Sequence, residues 1–143
     1  RQAVELFDLI HSVDSLHLAE SLDRAAAAKN RIMPVLVQVN ISGEQSKHGI
    51  DPHETAQLVR RIAGLPHLRV DGLMTIPPLL PSPEDSRPYY AALRRLRDDL
   101  TGQLAGGNTL AELSMGMSSD FEVAIEEGAT LVRVGTAIFG PRQ

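Results

Sequence analysis

Short apolar runs rich in strand-forming residues recur along the chain at Ile10–Val13, Val35–Ile41, Val70–Ile76, Leu110–Met117 and Leu131–Ile138. Each predicts a β-strand. Between them the apolar period lengthens: Leu18, Leu22 and Ala25, then Leu58, Ile62 and Leu65, then Tyr89, Leu93, Leu96, Leu100 and Leu104. Spacing of three and four puts each set on one helical face, and in the third helix Arg94, Arg95, Asp98 and Asp99 turn outward. Helix starts carry their own signals. Asp51-Pro52-His53-Glu54 supplies a capping acceptor, a first-turn proline and an acid at the third position. Ser118-Ser119-Asp120 opens a helix carrying Phe121, Ala124 and Ile125, which stops at Gly128. Strands alternating with helices predict a parallel sheet joined by right-handed crossovers. The alternation resumes on both sides of Pro77–Pro83, so that stretch is a loop within one domain spanning residues 1–143.

Composition narrows the class. The 143 residues are 43% hydrophobic and 22% charged, as in an ordinary globular domain. A complete (β/α)8 barrel needs about 250 residues, so a barrel here would be partial. Net charge is −4 and no Lys/Arg cluster alternates with aromatics, which argues against a nucleic-acid partner. No apolar run approaches the roughly 18 residues of a membrane span, so no membrane partner is expected. Cysteine is absent, which removes disulfides, thiolate metal sites and a Cys nucleophile and permits a reducing compartment. The first residue is Arg1, not Met, and the true N-terminus is expected to lie upstream.

An open doubly wound sheet would carry a glycine-rich phosphate turn, and neither G-x-G-x-x-G nor a Walker A motif occurs. A barrel instead gathers ligand residues at the C-terminal ends of several strands, often with a phosphate site after the last two. Those two ends read Leu113-Ser114-Met115-Gly116-Met117-Ser118-Ser119-Asp120 and Val132-Arg133-Val134-Gly135-Thr136-Ala137-Ile138-Phe139-Gly140. In the first, a strand runs into a helix start whose N–H groups favour an anion, with Gly116 admitting close approach. In the second, Arg133 offers a cationic fork, Gly135 a bare amide and Thr136 a hydroxyl. The plainer alternative makes Ser118 a helix cap, Gly135 a bend and Arg133 an outward strand residue.

Five blocks in order resemble the YggS-type pyridoxal-phosphate homeostasis family: His11–Ser15; Gln38–Ser42 with Glu44, Ser46, Lys47 and Gly49; Gly72–Ile76; Leu113–Ser118; and Val132–Gly140. The resemblance implies an α/β fold, a single-domain (β/α)8 TIM-type barrel related to the N-terminal domain of alanine racemase, with about strands 4 to 8 present here. It further implies a cytoplasmic, mostly monomeric protein that binds pyridoxal 5′-phosphate and acts in vitamin B6 and amino-acid balance without established catalysis. Carried over block by block, Ser114, Met115, Gly116, Met117, Ser118, Arg133, Gly135 and Thr136 would surround the phosphate and ring nitrogen, and Asn40 and Met74 would line the ring face. The family's cofactor-bearing lysine sits on the first barrel strand, upstream of every matched block. Of the lysines present, Lys29 closes an Ala-rich helix and Lys47 lies in a loop after a strand end, and both read as solvated.

Other constellations fall away. His11, Ser12 and Asp14 lie on one strand, where neighbours alternate faces and cannot form a relay among themselves. His53-Glu54 begins like a zincin helix, but Gln57 stands where the second His is required, and His17, His48 and His67 lack ligand spacing. No metal site and no catalytic residue is expected. Two further functions share the architecture: an amino-acid racemase, which needs a second base from another domain, and a barrel enzyme for another phosphorylated ligand.

Overall fold

The computed structural model describes residues 2–44, 48–103 and 109–141. Five parallel strands pair in chain order: β1 (Ile10–Val13), β2 (Met33–Gln38), β3 (Leu68–Met74), β4 (Glu112–Met117) and β5 (Leu131–Arg133). The order decides the architecture. A doubly wound sheet reverses direction at a switch point, whereas strands that each step one place the same way, with crossovers of one hand, leave all helices on one face. The helices are α1 (Gln2–Leu6), α2 (Leu16–Ala27), α3 (Pro52–Ala63), α4 (Arg87–Thr101), α5 (Phe121–Glu126) and α6 (Thr136–Phe139), with a 3-10 turn at Pro83–Ser86.

The sheet is curled. His11 on β1 lies 2.8 Å from the Ser114 hydroxyl on β4, although two strands separate them. In a flat sheet β1 and β4 would stand about 14 Å apart, beyond the reach of a His and a Ser together. Only curvature into a half-barrel brings them into contact.

Burial follows the two faces. Val35, Val37, Leu73, Leu113 and Met115 join Leu58, Ile62, Tyr90, Leu93 and Ala124 in one apolar core between sheet and helices. Leu36, Gln38, Met74 and Ser114 are buried outside that cluster, toward the concave face. Gly72 permits β3 and β4 to meet, since a Cβ there would fall on the Glu112 carbonyl oxygen.

Helix chemistry matches the caps in part. Asp51 Oδ1 accepts from the His53 N–H and Pro52 opens α3, as the sequence implies. Gly128, at φ +95, ends the α5 segment as a left-handed stop. α1 has no counterpart in the periodicity, and Arg31 holds it by donating to the carbonyls of Val4 and Phe7.

Three sequence expectations are corrected. β5 ends at Arg133 and not Ile138, because the N–H groups of Gly135 and Ala137 turn to the Ser118 hydroxyl and residues 136–139 close a helical turn. In α4 the fully buried tyrosine is Tyr90, not Tyr89, and Leu104 lies outside the described residues. In α5 it is Val123 and Ala124 that are buried, while Ile125 is exposed. Among the described residues no helix is long and apolar enough to cross a membrane.

Candidate functional site

A cavity of about 690 Å³ opens at the C-terminal ends of β4 and β5. Its size lies within the roughly 300–1,000 Å³ usual for small-molecule sites. Ser118, Gly135 and Thr136 supply polar groups, Arg133, Tyr90 and Asp120 line it as well, and Ile76, Pro77, Leu79 and Phe139 form apolar walls.

Ser118 joins the two loops. Its Oγ accepts the N–H of Gly135 at 3.0 Å and of Ala137 at 3.2 Å. With both lone pairs engaged, its hydroxyl proton remains for an acceptor in the cavity. Gly135 is exposed and a Cβ there would meet no atom within 4 Å, so a ligand can approach the backbone closely. Gly116 plays a different part. At φ +96 it lets β4 run against α5, where a Cβ would lie 2.6 Å from Ala124 Cβ.

Arg133 enters from β5 and spends its guanidinium on a hydroxyl and a carbonyl. It donates to Ser114 Oγ at 2.6 Å and to the Thr75 carbonyl at 2.9 Å, and Thr75 in turn donates to the Val39 carbonyl. Burial pulls the Arg133 pKa below its ordinary value, against the opposing pull of Tyr90 and Asp120. Guanidinium still stays charged, so a fixed cation sits at the base of the cavity. Because arginine can only donate, the Ser114 oxygen accepts from it and its own proton is free for His11 Nδ1. Burial first, and the Arg133 cation second, lower the His11 pKa, which favours the neutral ring that accepts this bond.

The cation has a counter-charge across the cavity. Asp120 is almost fully buried, with one carboxylate oxygen accepting the Met117 N–H at 2.8 Å and the other accepting the Tyr90 O–H at 2.7 Å. Burial, then the Asp120 bond, raises the Tyr90 pKa, so the phenol stays protonated.

Of the residues singled out from sequence, Met117, Ser118, Arg133, Gly135 and Thr136 converge on the cavity. Ser114 lies beneath it as the support of Arg133, and Met115 is fully buried in the apolar core. Met74 stands beside Ser114 across the β3–β4 pairing on the concave face. Asn40 follows β2 and folds onto its own loop, donating to the Glu44 carbonyl and accepting from Ser42. Lys29 pairs with Glu5 at 2.8 Å, far from these loops in the chain, whereas Ser46 and Lys47 lie outside the described residues. Sequence reasoning missed Tyr90 and Asp120 as cavity residues and passed over His11 as a partner of Ser114. Asp120 had a signal of its own, an acid three residues after a strand end, where a side chain can turn back onto the strand's last N–H.

Comparisons with known proteins identify the family and the fold. The profile described as alanine racemase, N-terminal domain, matches residues 1–143. A pyridoxal phosphate homeostasis protein of Aquifex aeolicus is 50% identical over 135 residues, covering 94% of this chain and 58% of the relative. Its counterpart in Pseudomonas aeruginosa is 45% identical over 142 residues, covering 99% of this chain and 59% of the relative. The chain thus spans about three-fifths of the length of these curated relatives. The structure of PipY from Synechococcus elongatus with PLP bound superposes with a TM-score of 0.86 at 41% identity, covering 97% of this chain and 64% of that one. Alanine racemase from Corynebacterium glutamicum shares the fold, with a TM-score of 0.72 at 22% identity over 99% of this chain and 38% of the enzyme.

Proposed function

Because the chain belongs to the alanine racemase N-terminal domain family, we propose that it is the phosphate-binding part of a pyridoxal 5′-phosphate carrier acting in vitamin B6 and amino-acid homeostasis. One observation carries the reading: two strand-end loops, tied together by the Gly135 and Ala137 N–H groups on Ser118, present the Ser118 and Thr136 hydroxyls and an uncovered Gly135 backbone over a half-buried arginine.

The residues fit the cofactor's chemistry. The phosphate would take the Ser118 hydroxyl, the Thr136 hydroxyl and the Gly135 side of the loop, where no Cβ intrudes. Arg133, held by Ser114 and Thr75, would face the ring nitrogen, and Met74 would close the ring's concave side. Ile76, Pro77 and Phe139 give the mouth an apolar lining. When bound, the cofactor supplies an aldehyde, conjugated to a pyridine ring, that combines with amines.

The five strands are read as the fourth to eighth of one eight-stranded barrel domain, with the cofactor-bearing lysine on a strand outside this sequence. A carrier role without catalysis is supported by the names of the relatives, which denote homeostasis and not a reaction. The protein is read as monomeric and cytoplasmic, as the resemblance to the homeostasis family implies.

Titrating the whole protein with pyridoxal 5′-phosphate and with pyridoxal tests the reading. Tighter binding of the phosphorylated form supports it, and equal affinities refute it. Racemisation of an amino acid by the loaded protein would overturn the non-catalytic part.

A further inference from the structure

Asp120 stands immediately before α5, yet its side chain makes no bond to that helix. Its carboxylate turns backward. One oxygen takes the Met117 N–H and the other takes the Tyr90 O–H, while the Asp120 N–H closes the turn onto the Met117 carbonyl at 3.1 Å. A buried carboxylate beside an anion site should repel the anion, so its presence needs a reason. Its neighbours supply one. The turn it braces carries Ser118, and Ser118 is the oxygen on which the N–H groups of Gly135 and Ala137 converge.

We propose that Tyr90 is a positioning residue of the ligand site, acting through the Asp120 carboxylate to set the 117–120 turn and hence Ser118. This rests on the reading of the two loops as a phosphate site. Tyr90 suits the task because it is fully buried on α4 within the apolar core, so its ring has little freedom and its hydroxyl is a fixed point. The phenol stays protonated because burial and Asp120 both raise its pKa, which keeps it a donor. Removing that proton donor leaves a buried carboxylate oxygen without its bond and frees Asp120 to rotate, loosening both loops at once.

The experiment titrates the whole protein with pyridoxal 5′-phosphate and with pyridoxal, alongside thermal unfolding, for wild type, Tyr90→Phe, Asp120→Asn and Asp120→Ala. Tyr90→Phe is expected to weaken the phosphorylated ligand about three- to tenfold, the equivalent of one hydrogen bond, and to leave pyridoxal unchanged. Asp120→Asn should rescue: its amide oxygen still accepts the Met117 N–H, its NH2 can donate to the Tyr90 oxygen, and affinity stays at or above wild type. Asp120→Ala should lose at least as much as Tyr90→Phe. A Tyr90→Phe protein with a lowered melting temperature but the wild-type preference for the phosphorylated ligand overturns the proposal, because the residue is then merely structural. Asp120→Asn as weak as Asp120→Ala also overturns it, since charge and not position is then at work. A wild type with no preference for the phosphorylated ligand defeats the phosphate-site reading itself, a result separate from either of these.

Discussion

Sequence reasoning nominates both Gly116 and Gly135 for the ligand site, but only Gly135 lines the cavity, and the structure gives the two opposite tolerances. At Gly116 the backbone is at φ +96, and an added Cβ would lie 2.6 Å from Ala124 Cβ and 3.1 Å from Phe121 Cα. A side chain in left-handed backbone costs about 1–2 kcal/mol and overpacking about 1–3 more, so Gly116→Ala should lose about 2–5 kcal/mol. Neither neighbour can rotate aside. One is a backbone atom and the other a methyl buried in the core, so relief requires moving α5 as a body. Gly135 has φ −117 and no atom within 4 Å of its virtual Cβ, and Gly135→Ala should change stability by less than about 0.5 kcal/mol. Urea denaturation of the two variants at unchanged m-value reads the difference through the midpoints. Losses agreeing within about 0.5 kcal/mol would refute the reasoning, because stability would then be blind to the strand–helix contact.

Arg133→Gln in the whole protein is expected to weaken cofactor retention by about 1.5–3 kcal/mol, the range for a hydrogen bond to a charged group, as read by equilibrium dialysis. Unchanged retention would make Arg133 a structural brace for β3 and β4. Gly135→Val should reduce binding of the phosphorylated ligand more than it reduces melting temperature, since the Cβ space is open to a ligand but not needed by the fold. The opposite ranking would remove Gly135 from the site. The His11 pKa is lowered from its ordinary 6.5, so the unfolded chain takes up that proton at higher pH than the native one. The stability contributed by neutral His11 is therefore complete above pH 6.5 and is lost as pH falls through the lowered folded value. His11→Gln should flatten the decline of stability below pH 6.5, and an equal slope in both proteins would contradict the buried neutral ring.

Local features were legible in the sequence, and contacts across the sheet were not. The strands β1 to β4 and the helices α2 to α4 follow from hydrophobic period, because each buries one face against the same core. Residues 136–139 misled because Thr-Ala-Ile-Phe suits a strand as well as a turn of helix. What decides is where the Gly135 and Ala137 N–H groups go, namely Ser118 on another loop. Tyr89 and Tyr90 are adjacent, and one residue is about 100° of helix, so periodicity alone could not choose the buried one. The Ser114–His11 bond spans 103 residues and exists only because the sheet curls. The Tyr90–Asp120 bond joins α4 to the turn before α5, a pairing set by packing and invisible to any local motif.

The most direct test of the phosphate site is amide NMR of the whole protein during titration with inorganic phosphate and then with pyridoxal 5′-phosphate. The account predicts that both ligands shift the N–H signals of Ser118, Ser119, Gly135 and Thr136, and that pyridoxal leaves those four largely in place. Shifts confined to the smaller cavity of about 280 Å³ lined by Arg97, Thr101 and Leu110, with the 118–136 amides unmoved, would contradict it.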